Sequence, residues 1–471
     1  MDMTFHAEDH QLIGDYTGRK DGGSFRQLLR WSESGAAPFS VCCTDTHAVG
    51  TLHFGNTLDL TLLHYFGADN EELNACLEES AGVTAEELER SNREAWKRLW
   101  DRALAFDAAG AGFAKEVLLY QFYLFQSLGS TEQPTGCLGL SFPGWNGAQL
   151  WDADLWLLRG VLPLLPELAL PMIRYRKNCL EAAKANAAAH GSAGAWYPWQ
   201  ADDRGRMLDF PAEYHHELHN NIWIGLAAWA YYQETKDQAF LRQTGYPIMS
   251  AVSDFFCSWA EKDNQGIYHI HDVIGPDESL AEVYGVTVSD HFLTNVGVRA
   301  LLKAAGDCAA LLGLAAHPLW QAVREGIFIP EADENGIFPE YAGYNGHPTK
   351  QADAIIAFYP LDFPCSDDLC MKNVDYYHEK AVCGAPLMTC QIEAVLEMRC
   401  RSRKIGLQHL LERFHEYVRG AYCIPYECVH NNNSIMLTGI GGLLQSLIFG
   451  YCGYQLGGRD TFKRVGNCQS C

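Results

Sequence analysis

Two stretches of this chain, residues 222–232 and 437–451, are apolar around the whole circumference of a helix. A helix with no polar face has to be buried on every side. Residues 113–128 read the same way, with Phe113, Val117, Tyr120, Leu124 and Leu128 along one stripe and Leu118, Phe122 and Phe125 opposite. Other segments are one-sided. Thr84 and Glu87 have the spacing of a capping box, and behind them Trp96, Leu99, Trp100, Ala103 and Leu104 face away from Glu94, Lys97, Arg98 and Asp101. Fully apolar helices alternating with amphipathic ones fit an inner ring wrapped by an outer one. About a dozen helical segments are legible between Gly110 and Tyr454. Strand periodicity is missing from that span, which disfavours a parallel α/β barrel.

The front of the chain reads differently. Phe39-Ser40-Val41 has the look of a short strand, and Leu58, Leu60 and Leu62 alternate with Asp59 and Thr61, the period of a half-buried strand. That is too little for a free-standing β domain. The expected organisation is a partial β-sandwich-like segment over residues 1–70, a helical linker over 71–109, the helical double ring over 110–455 and a tail over 456–471.

With 48% hydrophobic residues the chain can bury a large core, and residues 155–170, its most apolar stretch, are broken by Arg159, Pro163, Pro166 and Glu167. That stretch reads as core rather than as a membrane span. Thirty-five basic against 58 acidic residues give a net charge of −23, which repels phosphate backbones, and no basic stripe offsets it. Nucleic acid and membrane are therefore not expected partners. The first residues, Met1-Asp2-Met3-Thr4-Phe5-His6, lack a signal-peptide pattern, so the 17 cysteines are expected as reduced thiols in a cytoplasmic protein. Cys468-Gln469-Ser470-Cys471 has no second CxxC and reads as a frayed tail rather than a zinc ribbon.

The loops between helices carry the chemistry. Gly275-Pro276-Asp277-Glu278 is a turn that can aim a carboxylate into a cleft, or a solvated turn opening the next helix. Glu427 follows Pro425-Tyr426 in an aromatic, Cys-flanked stretch that would raise a carboxyl pKa, or it is a surface glutamate ahead of Asn431-Asn432-Asn433. Trp151-Asp152 and Trp196-Tyr197-Pro198-Trp199-Gln200 set acids and amides beside large rings, which is how sugars are held: polar groups bridge hydroxyls and rings cover the apolar face. His215-His216-Glu217-Leu218-His219 has one residue between Glu217 and His219 where a zincin helix has two, so no metal is expected. No nucleophile elbow, P-loop or dinucleotide fingerprint is present. The glycines after Leu437-Thr438 suit close helix packing better than an anion contact.

In this order the motifs resemble glycoside hydrolase family 65, nearest the branch of the protein-glucosylgalactosylhydroxylysine glucosidases and acid trehalases. The resemblance covers roughly residues 90–455 and runs through Leu150-Trp151-Asp152, Tyr175-Arg176, Gly194-Ala195-Trp196-Tyr197-Pro198-Trp199, Glu217-x-His219-x-Asn221, Gly275-Pro276-Asp277-Glu278, Thr294-Asn295, Lys350-Gln351-Ala352-Asp353 and Leu437-Thr438-Gly439-Ile440-Gly441-Gly442. It implies a mainly α chain with an (α/α)6 barrel, preceded by a short remnant of the family's β-sandwich. It also implies an inverting glycosidase acting on a small-molecule or peptide-linked α-glucoside, such as an α-1,2-linked one, with no cofactor. By the same resemblance Glu278 is the general acid, Trp151, Asp152, Lys350 and Gln351 hold the glucosyl ring, and Trp199, Glu217 and His219 stand near it. Glu427 is the expected general base, since a hydrolase needs a second carboxylate to activate water. An inverting phosphorylase and a non-catalytic sugar-binding protein are the alternatives. Ser279-Leu280 departs from the family's usual Tyr-His after the acid, on the leaving-group side.

Overall fold

The outer and inner helices expected above alternate along the chain, with one pair of consecutive outer helices. The computed structural model describes all residues except 1, 9–10, 18–23, 44–47, 68–69, 80–81, 130–135, 140–143, 209–211, 280–284, 352, 383–384, 459–462 and 465–471; over residues 2–79 it describes mainly the backbone. The Cys468/Cys471 pair lies outside the described residues. Two units divide the chain, Met1–Arg98 and Leu99–Cys471.

The first unit is an antiparallel meander of β1 (Asp2–Glu8), β2 (Gln11–Thr17), β3 (Ser24–Cys43) and β4 (Ala48–Gly67) in the order 1-2-3-4. Phe39-Ser40-Val41 lies in β3, and Leu58, Leu60 and Leu62 lie in β4. Helix α1 (Asn70–Glu79) follows, then α2 (Ala85–Arg102), whose last turn opens the second unit. The expected capping box starts α2: the Glu87 N–H donates to Thr84 Oγ1 at 3.2 Å and the Thr84 N–H to Glu87 Oε2 at 2.9 Å.

The second unit is an (α/α)6 barrel. Helix α3 (Ala111–Ser127) is outside and α4 (Leu158–Val161, prolonged backwards by a π-turn at Ala153–Leu157) inside. Then α5 (Pro166–Asn178) and α6 (Leu180–Ala189) are outside, α7 (His219–Thr235) inside, α8 (Tyr246–Trp259) outside and α9 (Phe292–Leu312) inside. Helix α10 (Pro318–Gly326) is outside, α11 (Asp353–Ile356) inside, α12 (Asp367–Lys380) outside, α13 (Leu387–Cys400) inside and α14 (Arg403–Glu416) outside. The last, α15 (Leu437–Gln445, continued by a π-turn at Ser446–Tyr451), is inside. The inner helices pack in chain order, and α15 closes the ring on α4.

Burial follows the sequence pattern in α15, which is buried throughout, and in the apolar stretch of α7, where only Leu226 and Trp229 are half-buried. Each large apolar side chain fully buried there contributes about 1.5–3 kcal/mol. Residues 113–128 correct the expectation. Helix α3 belongs to the outer ring: Phe113, Val117, Tyr120 and Leu124 are buried, Leu118 is half-buried and Phe122 is exposed. Its polar residues Lys115, Glu116 and Gln126 make it one-sided after all, and their spacing is the signal that the apolar count obscured. Among the described residues no helix is long and apolar enough to cross a membrane.

The seam between α4 and α15 is backbone against backbone. A Cβ on Gly441 would stand 2.6 Å from the Trp156 carbonyl oxygen, and one on Gly160 would stand 2.6 Å from that of Gly441. The carbonyls of Leu155 and Trp156, released by the π-turn, accept from Gln445 Nε2 at 3.0 Å each. Helix packing is thus the use of these glycines. Gly441→Ala should cost about 1–3 kcal/mol by overpacking and lower the thermal midpoint by several degrees, whereas Gly112→Ala, with open space around it, should leave it unchanged. Equal midpoints in a scanning-fluorimetry comparison would show that the seam is not tight.

Candidate active site

Because inner helices alternate with outer ones, all six start at one end of the ring, and their N-terminal dipole ends converge there. Trp151 and Asp152 precede the π-turn of α4; Trp199 and Tyr214 lie in the segment leading to α7; Lys350 and Gln351 precede α11; Met388 opens α13; Glu427 and Met436 lead into α15. With Glu278, Cys137, Trp145 and Leu150, these residues line one pocket of about 160 Å³. A larger cavity of about 220 Å³ lies between α4, α7 and α9, with Arg159, Trp223, Lys303 and Asp307 on its wall. Of the motif acids it holds only Asp154, which is already taken by Arg176.

The turn bearing Glu278 is fixed from below. Asp353, at the start of α11, accepts the Asp277 N–H at 2.9 and 3.0 Å, and Asp277 Oδ1 accepts the Lys350 N–H at 2.7 Å. His291 caps α9 by accepting from the Thr294 N–H through Nδ1, so its Nε2 carries the proton donated to Asp353 at 3.0 Å. Burial and the neighbouring Asp353 push the Asp277 carboxyl up. On this base Glu278 is buried and its Oε2 meets the Lys350 ammonium at 2.8 Å, with Gln351 Nε2 at 3.4 Å. Gln351 Nε2 also donates to the Pro276 carbonyl at 2.8 Å.

Glu427 is held by different means. Asn431 and Asn433 each donate an amide to its Oε2, at 2.6 and 2.7 Å. Its backbone is tied to Leu387 and Asn433 at 2.8 and 3.1 Å. Two donors on one oxygen suit a carboxylate in its ionised form. Across the pocket Asp152 accepts from Thr438 Oγ1 at 2.9 Å, and burial pushes its carboxyl up to about 6, with the Glu427 charge adding to the rise. Thr438 therefore serves an acid of the neighbouring inner helix rather than an anion.

Trp199 stacks edgewise on Tyr214 with ring centroids 4.5 Å apart. Its indole N–H is buried and has no hydrogen-bond partner among the described residues. Glu217 and His219 do not line the pocket. Both are buried behind it, His219 Nε2 donating to Glu217 Oε2 at 3.0 Å and the His219 ring meeting Trp151 edge to face at 4.8 Å. Burial holds His219 well below the usual imidazole range, hence neutral. His215 points elsewhere, its Nε2 3.1 Å from that of His190, so the histidines do not converge. Among the described residues no group of three or more His, Cys, Asp or Glu is arranged to hold a metal.

Seven of the residues singled out from sequence thus meet in one pocket: Trp151, Asp152, Trp199, Glu278, Lys350, Gln351 and Glu427. What sequence reading missed is the support. Asn431 and Asn433 stood in view as a polar run, but nothing local says that two of the three amides turn back on Glu427. The pocket can do acid–base chemistry on something polar. Its described lining offers the carboxyls of Asp152, Glu278 and Glu427, the amide of Gln351 and the ammonium of Lys350.

Comparison with known proteins is consistent with this chemistry. Residues 118–349 match the glycosyl hydrolase family 65 central catalytic domain. The chain is 32% identical over 379 residues to the kojibiose hydrolase of Mucilaginibacter mallensis, spanning 78% of this chain and 54% of that protein. It is 31% identical over 413 residues to the protein-glucosylgalactosylhydroxylysine glucosidase of Mus musculus, spanning 83% and 58%. The chain therefore spans little more than half the length of the curated relatives it matches. In fold it is similar to a putative kojibiose phosphorylase from the human microbiome, with a TM-score of 0.75 at 16% identity over 96% of this chain and 66% of that one.

Proposed function

Because the chain carries the central catalytic domain of glycosyl hydrolase family 65, we propose that it is an inverting hydrolase of an α-glucoside, with Glu278 as general acid and Glu427 as general base. Glu278 gives its proton to the glycosidic oxygen as the bond to C1 breaks. Water adds to C1 from the opposite face, and Glu427 takes the proton that water gives up, releasing β-glucose. With Oε2 held by two asparagines, Oε1 is the oxygen for that water. Trp151, Asp152, Lys350, Gln351 and Trp199 hold the sugar, while Glu217 and His219 act through Trp151. The relatives' names make an α-1,2-linked glucoside the first substrate to try, whether a disaccharide or peptide-linked. Free thiols at the described cysteines accord with a cytoplasmic setting.

The observation that carries hydrolysis over phosphorolysis is the charge of the pocket. Asp152, Glu278 and Glu427 line it, and Lys350 is the one basic residue among the described lining residues. With Glu278 carrying the proton it is to give, a phosphate dianion would still face the carboxylates of Glu427 and Asp152 with Lys350 as the one described counter-ion, whereas neutral water meets no such repulsion. Proton NMR of the anomeric region during turnover of kojibiose, with and without phosphate, tests this. Early β-glucose without phosphate is the expected result. β-Glucose 1-phosphate, formed only with phosphate, would refute it in favour of a phosphorylase, and binding without turnover would leave a sugar-binding protein.

A further inference from the structure

We propose that the end of the ring away from the active pocket binds a phosphate ester of a small hydroxylated molecule, gripped by Arg159, Arg399 and Arg403. Arg159 stands in the last turn of inner helix α4, Arg399 in the last turn of inner helix α13, and Arg403 just beyond it as the first residue of α14. Met388, at the opposite end of α13, lines the active pocket, so about 16 Å of helix separates the two places. A cavity of about 650 Å³ opens at this far end, with the three arginines, Asp362, Gln233, Phe449 and Gln455 on its wall. Nothing in the chemistry proposed for the active pocket uses it.

Charge sets this cavity apart. The chain carries 35 basic against 58 acidic residues, yet the described lining here holds three guanidiniums and one carboxylate. That carboxylate, Asp362, is 74% exposed and pairs with Arg399 at 3.2 Å. Arg159 and Arg403 form no ion pair among the described residues, and the buried Arg159 Nε has no hydrogen-bond partner among them.

Packing, not counter-charge, holds these side chains in place. The Arg159 guanidinium lies 4.9 Å from the Phe449 ring centroid and 5.5 Å from that of Tyr359, and Arg399 lies 4.7 Å from the same Tyr359 ring. Tyr359 is fixed in turn, its hydroxyl donating to Gln445 Oε1 at 2.8 Å. Arg399 Nε also donates to the Phe449 carbonyl at 3.2 Å. Two like charges are thus kept against one ring, an arrangement that an anion beside them relieves. Arg403 sits at a helix N-terminus, where the dipole disfavours a cation, so its own helix does not explain it. A Cβ on Gly453 would stand 3.2 Å from Arg403 Nη2, which sets that guanidinium against the backbone of the cavity wall.

The ligand class follows from charge and size. Guanidinium forks match the oxygens of phosphate, and three guanidiniums less one carboxylate leave two positive charges for a monoester dianion. The volume falls within the range of about 300–1,000 Å³ usual for small-molecule sites, so an organic group has room beside the phosphate. Gln233 and Gln455 offer amides that both donate and accept, the complement of hydroxyls.

Titration calorimetry of glucose 6-phosphate into the wild-type protein, in low-salt HEPES at pH 7.5, tests this. One site is expected, with a Kd that rises about tenfold in Arg403→Gln and in Arg399→Gln and rises also with added KCl. Arg403 is exposed, so Arg403→Gln should keep the wild-type thermal midpoint, and it carries the comparison if Arg399→Gln fails to fold. Lys350→Met, which removes the ammonium of the active pocket, should bind the ester as wild type does. Inorganic phosphate should bind about tenfold more weakly than the ester. No binding by wild type, a Kd unmoved by the arginine substitutions, or a loss seen only in Lys350→Met would overturn the site. Equal affinity for inorganic phosphate and the ester would overturn the assignment of an ester.

Discussion

Glu278→Gln and Glu427→Gln should each lower kcat on kojibiose by about a thousandfold, the middle of the range for losing a positioned acid or base, while circular dichroism and the thermal midpoint stay near wild type. Both substitutions keep the shape of the side chain and a hydrogen-bonding head, and both positions lie at the pocket rather than in the core. The two variants should then part on α-glucosyl fluoride. Fluoride leaves without a proton, so the loss of an acid matters little, and Glu278→Gln should recover most of its rate on that substrate. Glu427→Gln should not, because water must still be deprotonated whatever the leaving group. Equal deficits on both substrates would remove the division of labour between the two glutamates. Full activity of both variants on kojibiose would remove them from the chemistry altogether.

What could be read from sequence depended on how far apart the cooperating residues stand. Helix identity is local, so the inner positions of α7 and α15 were plain in their lack of any polar face. Helix α3 misled because its polar residues are few, and three of them suffice to turn one face to the outer ring. Motif residues that line the pocket were legible because each lies in a segment leading into an inner helix, where aromatic, acidic and amide residues would be out of place in a mere connection. Contacts that hold those residues were not. Asp353 reaches Asp277 across 76 positions and Thr438 reaches Asp152 across 286, and no local pattern signals such pairs. Nor did sequence distinguish lining from backing: Glu217 and His219, at the entry to α7, are buried together with the His219 ring against Trp151.

Arg176 is the support whose loss should cost most. Its guanidinium is paired with Asp154 at 2.6 Å with both side chains 1% exposed, and it also donates to the Leu150 carbonyl at 3.2 Å, next to Trp151. The pair thus ties outer helix α5 to the π-turn of inner helix α4. Arg176→Met would leave Asp154 a buried carboxylate with no counter-ion, a change worth about 3–5 kcal/mol. Burial already pushes the Asp154 carboxyl up, with Arg176 opposing the rise; without Arg176 it rises further. A carboxyl whose native-state pKa lies above its unfolded value binds a proton on folding, so its contribution is most favourable at low pH. That contribution is lost as pH climbs above the unfolded value, by at most about 1.4 kcal/mol per unit. The deficit of Arg176→Met relative to wild type should therefore be smaller at pH 5 than at pH 8 in urea unfolding. Adding Asp154→Asn should remove that pH dependence and recover part of the stability. A deficit that is the same at both pH values, and unaltered by Asp154→Asn, would mean that Arg176 stabilises the ring by packing alone and that the buried charge at Asp154 is satisfied by other groups.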